Sequence, residues 1–210
     1  MKKTALSLAL AMAVLPGFAQ DNDSPEKKKG EYEFTVIKEN PITSIKDQYR
    51  SGTCWCFSAL SFLESEIIKE KGDTVDLSEM FVVSKSYHDR GIKYVRLDGH
   101  LNFAAGSSFG DVLHVIKDYG IVPQEAMPGL NYGTEKPEHF EMDEGLKGYV
   151  DAIVKNPNKV LTTAWVNGLD GILAAYLGEI PESFEVDGVT YTPESYRDWL
   201  GINPDDYVSL

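Results

Sequence analysis

The run that most constrains this chain lies between Cys54 and Gly72, "CWCFSALSFLESEIIKEKG". At about 100° per residue, Cys56, Phe57, Leu60, Leu63 and Ile67 fall on one stripe, and Gly72 suits a left-handed helix end. The spacing predicts a helix from about Thr53 to Lys71 with one face committed to a core. The same periodicity separates the only two cysteines of the chain. Cys56 lies on the stripe and reads as a small hydrophobe. Cys54 lies about 160° round, near Ser58 and Ser61, in a first turn whose free N–H groups and dipole favour an anion. Such a setting favours a thiolate. Position alone leaves Cys54 either a nucleophile or an inert thiol beside Trp55. The two side chains diverge, so no disulfide between them is expected. The C-x-C spacing and the scattered histidines fit no zinc pattern; neither a metal nor another cofactor is expected.

The remaining segments read as further helices with little β-structure, an α+β chain. Asp76 with Glu79 has capping-box spacing before "EMFVVSKSYHDRG", and Ser108 with Asp111 opens a helix ending at Gly120. A polar stretch from Pro123 to about Glu144 reads as loop. Helices follow in "EGLKGYVDAIVKN" and "TTAWVNGLDGILAAYLG". "FEVDGVTYT" alternates around Asp187-Gly188, a hairpin signal, and "TPESYRDWLG" predicts a short capped helix.

At the N-terminus, "MKK" precedes an apolar run with small residues at Gly17 and Ala19, the layout of an export signal over residues 1–19, cleaved before Gln20. The run is shorter than the roughly 20 residues of a membrane span. The chain is therefore expected to be exported, to a periplasm or the extracellular space, with no membrane span. Residues 20–40 read as a linker or N-terminal arm, and 41–210 as the folded part. The formal net charge is −13, more negative once Lys2 and Lys3 are removed, which argues against nucleic acid as a partner.

The frame Gln48-x-x-Ser51-Gly52-x-Cys54-Trp55-x-Phe57-Ser58 resembles the active-site segment of papain-like cysteine peptidases. Ser-Gly ahead of the nucleophile is closer to the bleomycin hydrolase and aminopeptidase C branch. "DLSEMF", "GSSFGDVLHVIKDYGIVPQEAMPG", "YLGEIPESF", "TPESYRDWL" and "DDYVSL" extend the resemblance in order. It implies a papain-like fold, here mainly the helical N-terminal half-domain. It also implies a cysteine-type peptidase, most simply an aminopeptidase, acting on peptides through an acyl-enzyme. Cys54 would be the nucleophile, with Gln48 and the Cys54 N–H as oxyanion donors. Trp55, Gly106, Ser107 and Ser108 would meet the substrate, although Ser107-Ser108 stands where the family has Gly-Gly. The full-length parent would be a homo-oligomer, a hexamer in that branch.

The family also needs a histidine base and an orienting asparagine, and no histidine here has their surroundings. His114 reads as a structural helix residue, His88 and His139 as surface or helix-end residues, and His100 as a neighbour of the substrate strand. The base is expected beyond Leu210, so this piece alone should be inactive. The alternatives are an endopeptidase within the class, or a non-catalytic papain-like binding or adhesion protein outside it.

Overall fold

The structure, a computed structural model, describes residues 34–208; the expected export signal and most of the linker lie outside them. Residues 34–38 belong to one unit and have no regular structure; the second unit begins at Glu39. Its elements are α1 (Cys54–Lys71), α2 (Glu79–Arg96), α3 (Phe109–Tyr119), α4 (Phe140–Val154), α5 (Ala164–Leu177), β1 (Phe184–Val186), β2 (Val189–Tyr191) and α6 (Pro193–Leu200), then a 3-10 turn, Pro204–Asp206.

The expected stripe of α1 is buried at Cys56, Leu60, Leu63 and Ile67, while Phe57 is only half-buried. The helix stops at Gly72, whose φ of 79° is left-handed. Against α1 lies α2, which also packs on α3, α4 and α5. Its start differs from the expected capping box. Ser78 is the cap, accepting the Phe81 N–H at 3.1 Å. Asp76 instead turns its carboxylate to Lys46, 2.7 Å away. The helix also runs on past Gly91, the last residue of the stretch quoted for it above, to Arg96. Gly91 is a crossing point: a β-carbon there would stand 2.5 Å from Leu169 of α5.

Buried Phe81, Tyr87, Leu60, Met80, Ile116, Met142, Leu146 and Leu169 join the first five helices in one core. α4 starts at Phe140, inside the stretch expected to be loop, and buries Met142, Leu146 and Val150. β1 and β2 pair antiparallel, Phe184 opposite Tyr191 and Val186 opposite Val189. Asp187 (φ 51°) and Gly188 (φ 78°) are both left-handed, as a two-residue hairpin turn requires. Thr192 then caps α6, with Pro193 at its first position.

Candidate active site

Cys54 is the first residue of α1 and is exposed. Its N–H precedes the first intrahelical bonds, in which the Thr53 carbonyl accepts from Cys56 N (2.9 Å) and Phe57 N (3.3 Å). Cys56 is fully buried, and its Sγ donates to the Glu79 carbonyl at 3.5 Å. Burial, reinforced by the Glu79 carboxylate, pushes the Cys56 thiol well above its ordinary range. The two cysteines thus part as the helical spacing predicts.

Cys54 and Gln48 line one cleft of about 340 Å³, with Ile42, Ile45, Phe57 and Ser58 among its walls. Gln48 is half-buried, and its Oε1 is buried without a hydrogen-bond partner. The backbone turns tightly here, Ser51 N donating to the Gln48 carbonyl at 3.2 Å. Arg50 N donates to the Pro137 carbonyl (3.0 Å), and His139 N to the Arg50 carbonyl (3.3 Å), tying this turn to the start of α4.

Beneath the arm that carries Gln48 sits a charge cluster that sequence spacing gave no means of finding. Lys46 Nζ meets Glu64 at 3.0 Å, Asp76 at 2.7 Å and Glu79 at 2.8 Å. Glu64 and Glu79 are buried. Glu64 also accepts the Leu77 N–H at 2.9 Å and the Thr43 hydroxyl. Burial works to lower the Lys46 pKa, but hydrogen bonds to Asp76 and Glu79 outweigh it and hold the ammonium above its usual range. Burial raises the Glu79 carboxyl, and Lys46 pulls it back only in part. One cation therefore fixes the arm to both α1 and α2.

Trp55 is buried, and its Nε1 donates to the Ala105 carbonyl at 3.0 Å. The indole lies under the loop rather than open to a ligand. On the other side of Cys54, Gly52 (φ 68°) approaches the same residue, and a β-carbon on it would stand 2.9 Å from Ala105 Cβ. Gly106, Ser107 and Ser108 do not line the Cys54 cleft. Their neighbour Ala105 touches Gly52 and Trp55, but it does not line the cleft either. The Asp111 carboxylate accepts from the Ser107 hydroxyl (2.6 Å), the Ser108 hydroxyl (2.8 Å) and the Ser108 N–H (3.0 Å). Burial would raise the Asp111 carboxyl; these bonds and the Arg90 charge lower it overall. Both serines thus serve the start of α3.

None of the four histidines lines the Cys54 cleft. His88 lies inside α2, not at a helix end, with Nδ1 2.6 Å from Asp170. His114 is exposed and 3.2 Å from Asp118, and His100 is exposed in the loop after α2. His139 corrects the expectation of a surface residue. It occupies the position before α4 but is fully buried, with neither ring nitrogen hydrogen-bonded. Burial lowers its pKa to about 4, the backbone of Ser51 opposing weakly. Among the described residues, no helix is long and apolar enough to cross a membrane.

Residues 32–135 match the family model described as papain family cysteine protease. The chain is similar to the viral cathepsin of Choristoneura fumiferana nuclear polyhedrosis virus, 33% identical over 101 residues, covering 48% of this chain and 29% of that protein. It is similar to the viral cathepsin of Spodoptera exigua nuclear polyhedrosis virus (strain US), 36% identical over 69 residues, covering 33% of this chain and 20% of that protein. Among solved structures it resembles the crystal structure of PepW from Lactobacillus rhamnosis HN001 (DR20). The TM-score is 0.57 at 21% identity, covering 82% of this chain and 47% of that one. This last likeness is one of fold, and it agrees with the helical part of a papain-like α+β architecture. The chain spans less than a third of these curated relatives and about half of PepW.

Proposed function

From the match of residues 32–135 to the papain family cysteine protease model, we propose that this chain carries the nucleophile side of a cysteine peptidase. The observation that supports this most is the exposed Cys54 thiol on the first turn of α1, sharing a cleft with Gln48. In this reading the Cys54 sulfur attacks a peptide carbonyl carbon. The oxyanion is held by the Cys54 N–H and the Gln48 side-chain amide. Collapse breaks the C–N bond, the leaving amine takes the proton given up by the thiol, and water then hydrolyses the thioester. A base must carry that proton. Since no histidine lines the cleft, we assign the base to residues outside 34–208 and expect this piece alone to turn over peptide at background rate.

Aminopeptidase action is the finer reading, supported by the Ser51-Gly52 pair and the later segments that resemble the aminopeptidase C branch. Similarity to viral cathepsins supports the second reading, an endopeptidase. We place the protein outside the cytoplasm on the strength of residues 1–19; secreted protein starting at Gln20 by N-terminal sequencing would support this. Hexamer formation belongs to the full-length parent and is read by its mass in solution.

The direct test is alkylation by iodoacetamide or an epoxide at mildly acidic pH. Cys54 should be modified well ahead of Cys56, which is buried. Equal labelling of the two, or none, would favour a non-catalytic binding protein. Peptide hydrolysis by this chain, lost in Cys54→Ala, would overturn the assignment of the base to another segment.

A further inference from the structure

The loop between α2 and α3 has no strand partner among the described residues, yet three successive carbonyls in it are held from below. Trp55 takes the Ala105 carbonyl, as described. Arg90 of α2 takes the two on either side: its Nη1 donates to Ala104 and, at 2.8 Å, to Gly106. Arg90 is itself held in place. Its Nε donates to the Ser86 carbonyl at 3.3 Å, and its guanidinium lies 4.7 Å from the centre of the Tyr87 ring. The Tyr87 hydroxyl in turn donates to Asp143 of α4 at 2.5 Å. A planar guanidinium offers donors in fixed directions, so two carbonyls on one nitrogen define the path of the backbone between them.

Through Ala105 this loop also touches Gly52 and Trp55, the residues two before and one after Cys54 in the sequence. Its shape therefore bears on how the Cys54 segment is seated, although neither Arg90 nor the loop lines the Cys54 cleft.

We propose that Arg90 is a positioning residue for substrate. It fixes residues 104–106, and through them Ser107 and Ser108, so that a peptide laid along the loop presents its carbonyl to Cys54. The proposal rests on the peptidase reading of Cys54 and concerns binding, not thiol chemistry.

The experiment compares two epoxides of equal intrinsic reactivity on the intact chain, one bearing a short peptide and one without. The unaltered protein should react with the peptidyl epoxide at Cys54 faster and with saturation. Arg90→Gln should raise the half-saturating concentration by about tenfold or more, the effect of losing charge-assisted hydrogen bonds. The limiting rate and the reaction with the plain epoxide should stay unchanged, while hydrogen exchange at the Ala105 to Ser108 amides accelerates. Arg90→Lys, which keeps the charge and can reach one carbonyl, should recover part of the affinity.

An unchanged half-saturation in Arg90→Gln, or equal loss with both epoxides, overturns the proposal and leaves the peptidase reading standing. If Arg90→Gln does not fold, unaltered half-saturation in Arg90→Lys overturns it equally. An unaltered protein that reacts with both epoxides alike, or not at Cys54, defeats the peptidase reading and the proposal with it.

Discussion

Around Gln48 and Cys54 the backbone is held by charge, whereas at the hairpin and α6 it is held by rings. In the first region Lys46 gathers Glu64 from α1 and Asp76 and Glu79 from the start of α2, two separate stretches of chain. In the second, Phe184, Tyr191, Tyr196 and Trp199 pack within one short segment, Phe184 on Tyr196 at 5.3 Å and Tyr196 on Trp199 at 5.6 Å. The difference is one of dependence. Each buried carboxylate under the site takes its counter-charge from a single ammonium, while each ring loses only its own contacts when a neighbour is cut back. The charged region can therefore fix a side chain such as Gln48 closely, at the cost of failing as a group.

Four experiments break or sharpen that contrast. Lys46→Met should have the largest effect, since it leaves Glu64 and Glu79 buried without a cation; a loss of about 3–5 kcal/mol in urea unfolding is expected. The Cys54 alkylation rate should change in the same variant, because Gln48 loses its tether. Tyr196→Ala should cost about 3 kcal/mol through lost packing. That loss should be independent of pH and salt and should leave Cys54 alkylation untouched. A Tyr196→Ala variant that alters Cys54 reactivity would erase the distinction between the two regions.

The third experiment is a pH profile. The folded pKa of His139 is about 4, below the 6.5 of a free imidazole. As pH falls from 6.5 towards 4, the unfolded chain therefore takes up a proton that the folded chain refuses. Stability from this group is full above pH 6.5 and drains away on the acid side, by about 2–3 kcal/mol. Comparing unfolding of the unaltered protein with His139→Leu at each pH isolates this contribution, because Glu79 and the other carboxyls cancel. A constant difference across the range would refute it. Smallest of all, Thr192→Ala should remove the α6 cap at about 1 kcal/mol, seen as a modest fall in Tm.

What could be read from the sequence follows the same division. The bounds of α1, the Asp187-Gly188 hairpin, Ser108 with Asp111 and the Thr192 cap depend on residues a few positions apart, so spacing alone reveals them. The opposite fates of Cys54 and Cys56 were legible for the same reason. The continuation of α2 past Gly91 was not legible, because a glycine that lets two helices cross looks the same in sequence as one that ends a helix. Asp76 was taken for a cap because its bond to Lys46 spans thirty positions of chain. His139 looked like a surface residue because its neighbours in sequence are polar, while its burial comes from the fold around it. Arg90 gave no signal at all, since its partners in the loop are backbone carbonyls, which carry no residue identity.

The placement of the two thiols also bears on peroxide. Many reactive cysteines survive oxidation because a nearby thiol condenses with the sulfenic acid and shields it as a disulfide. Here the only other cysteine is sealed beneath α1 with its sulfur on the Glu79 carbonyl, on the far side of the helix turn. Among the described residues a sulfenic acid on Cys54 has no resolving thiol within reach. Its fate passes to whatever small thiols the surroundings supply, and without them it proceeds to the irreversible sulfinic acid.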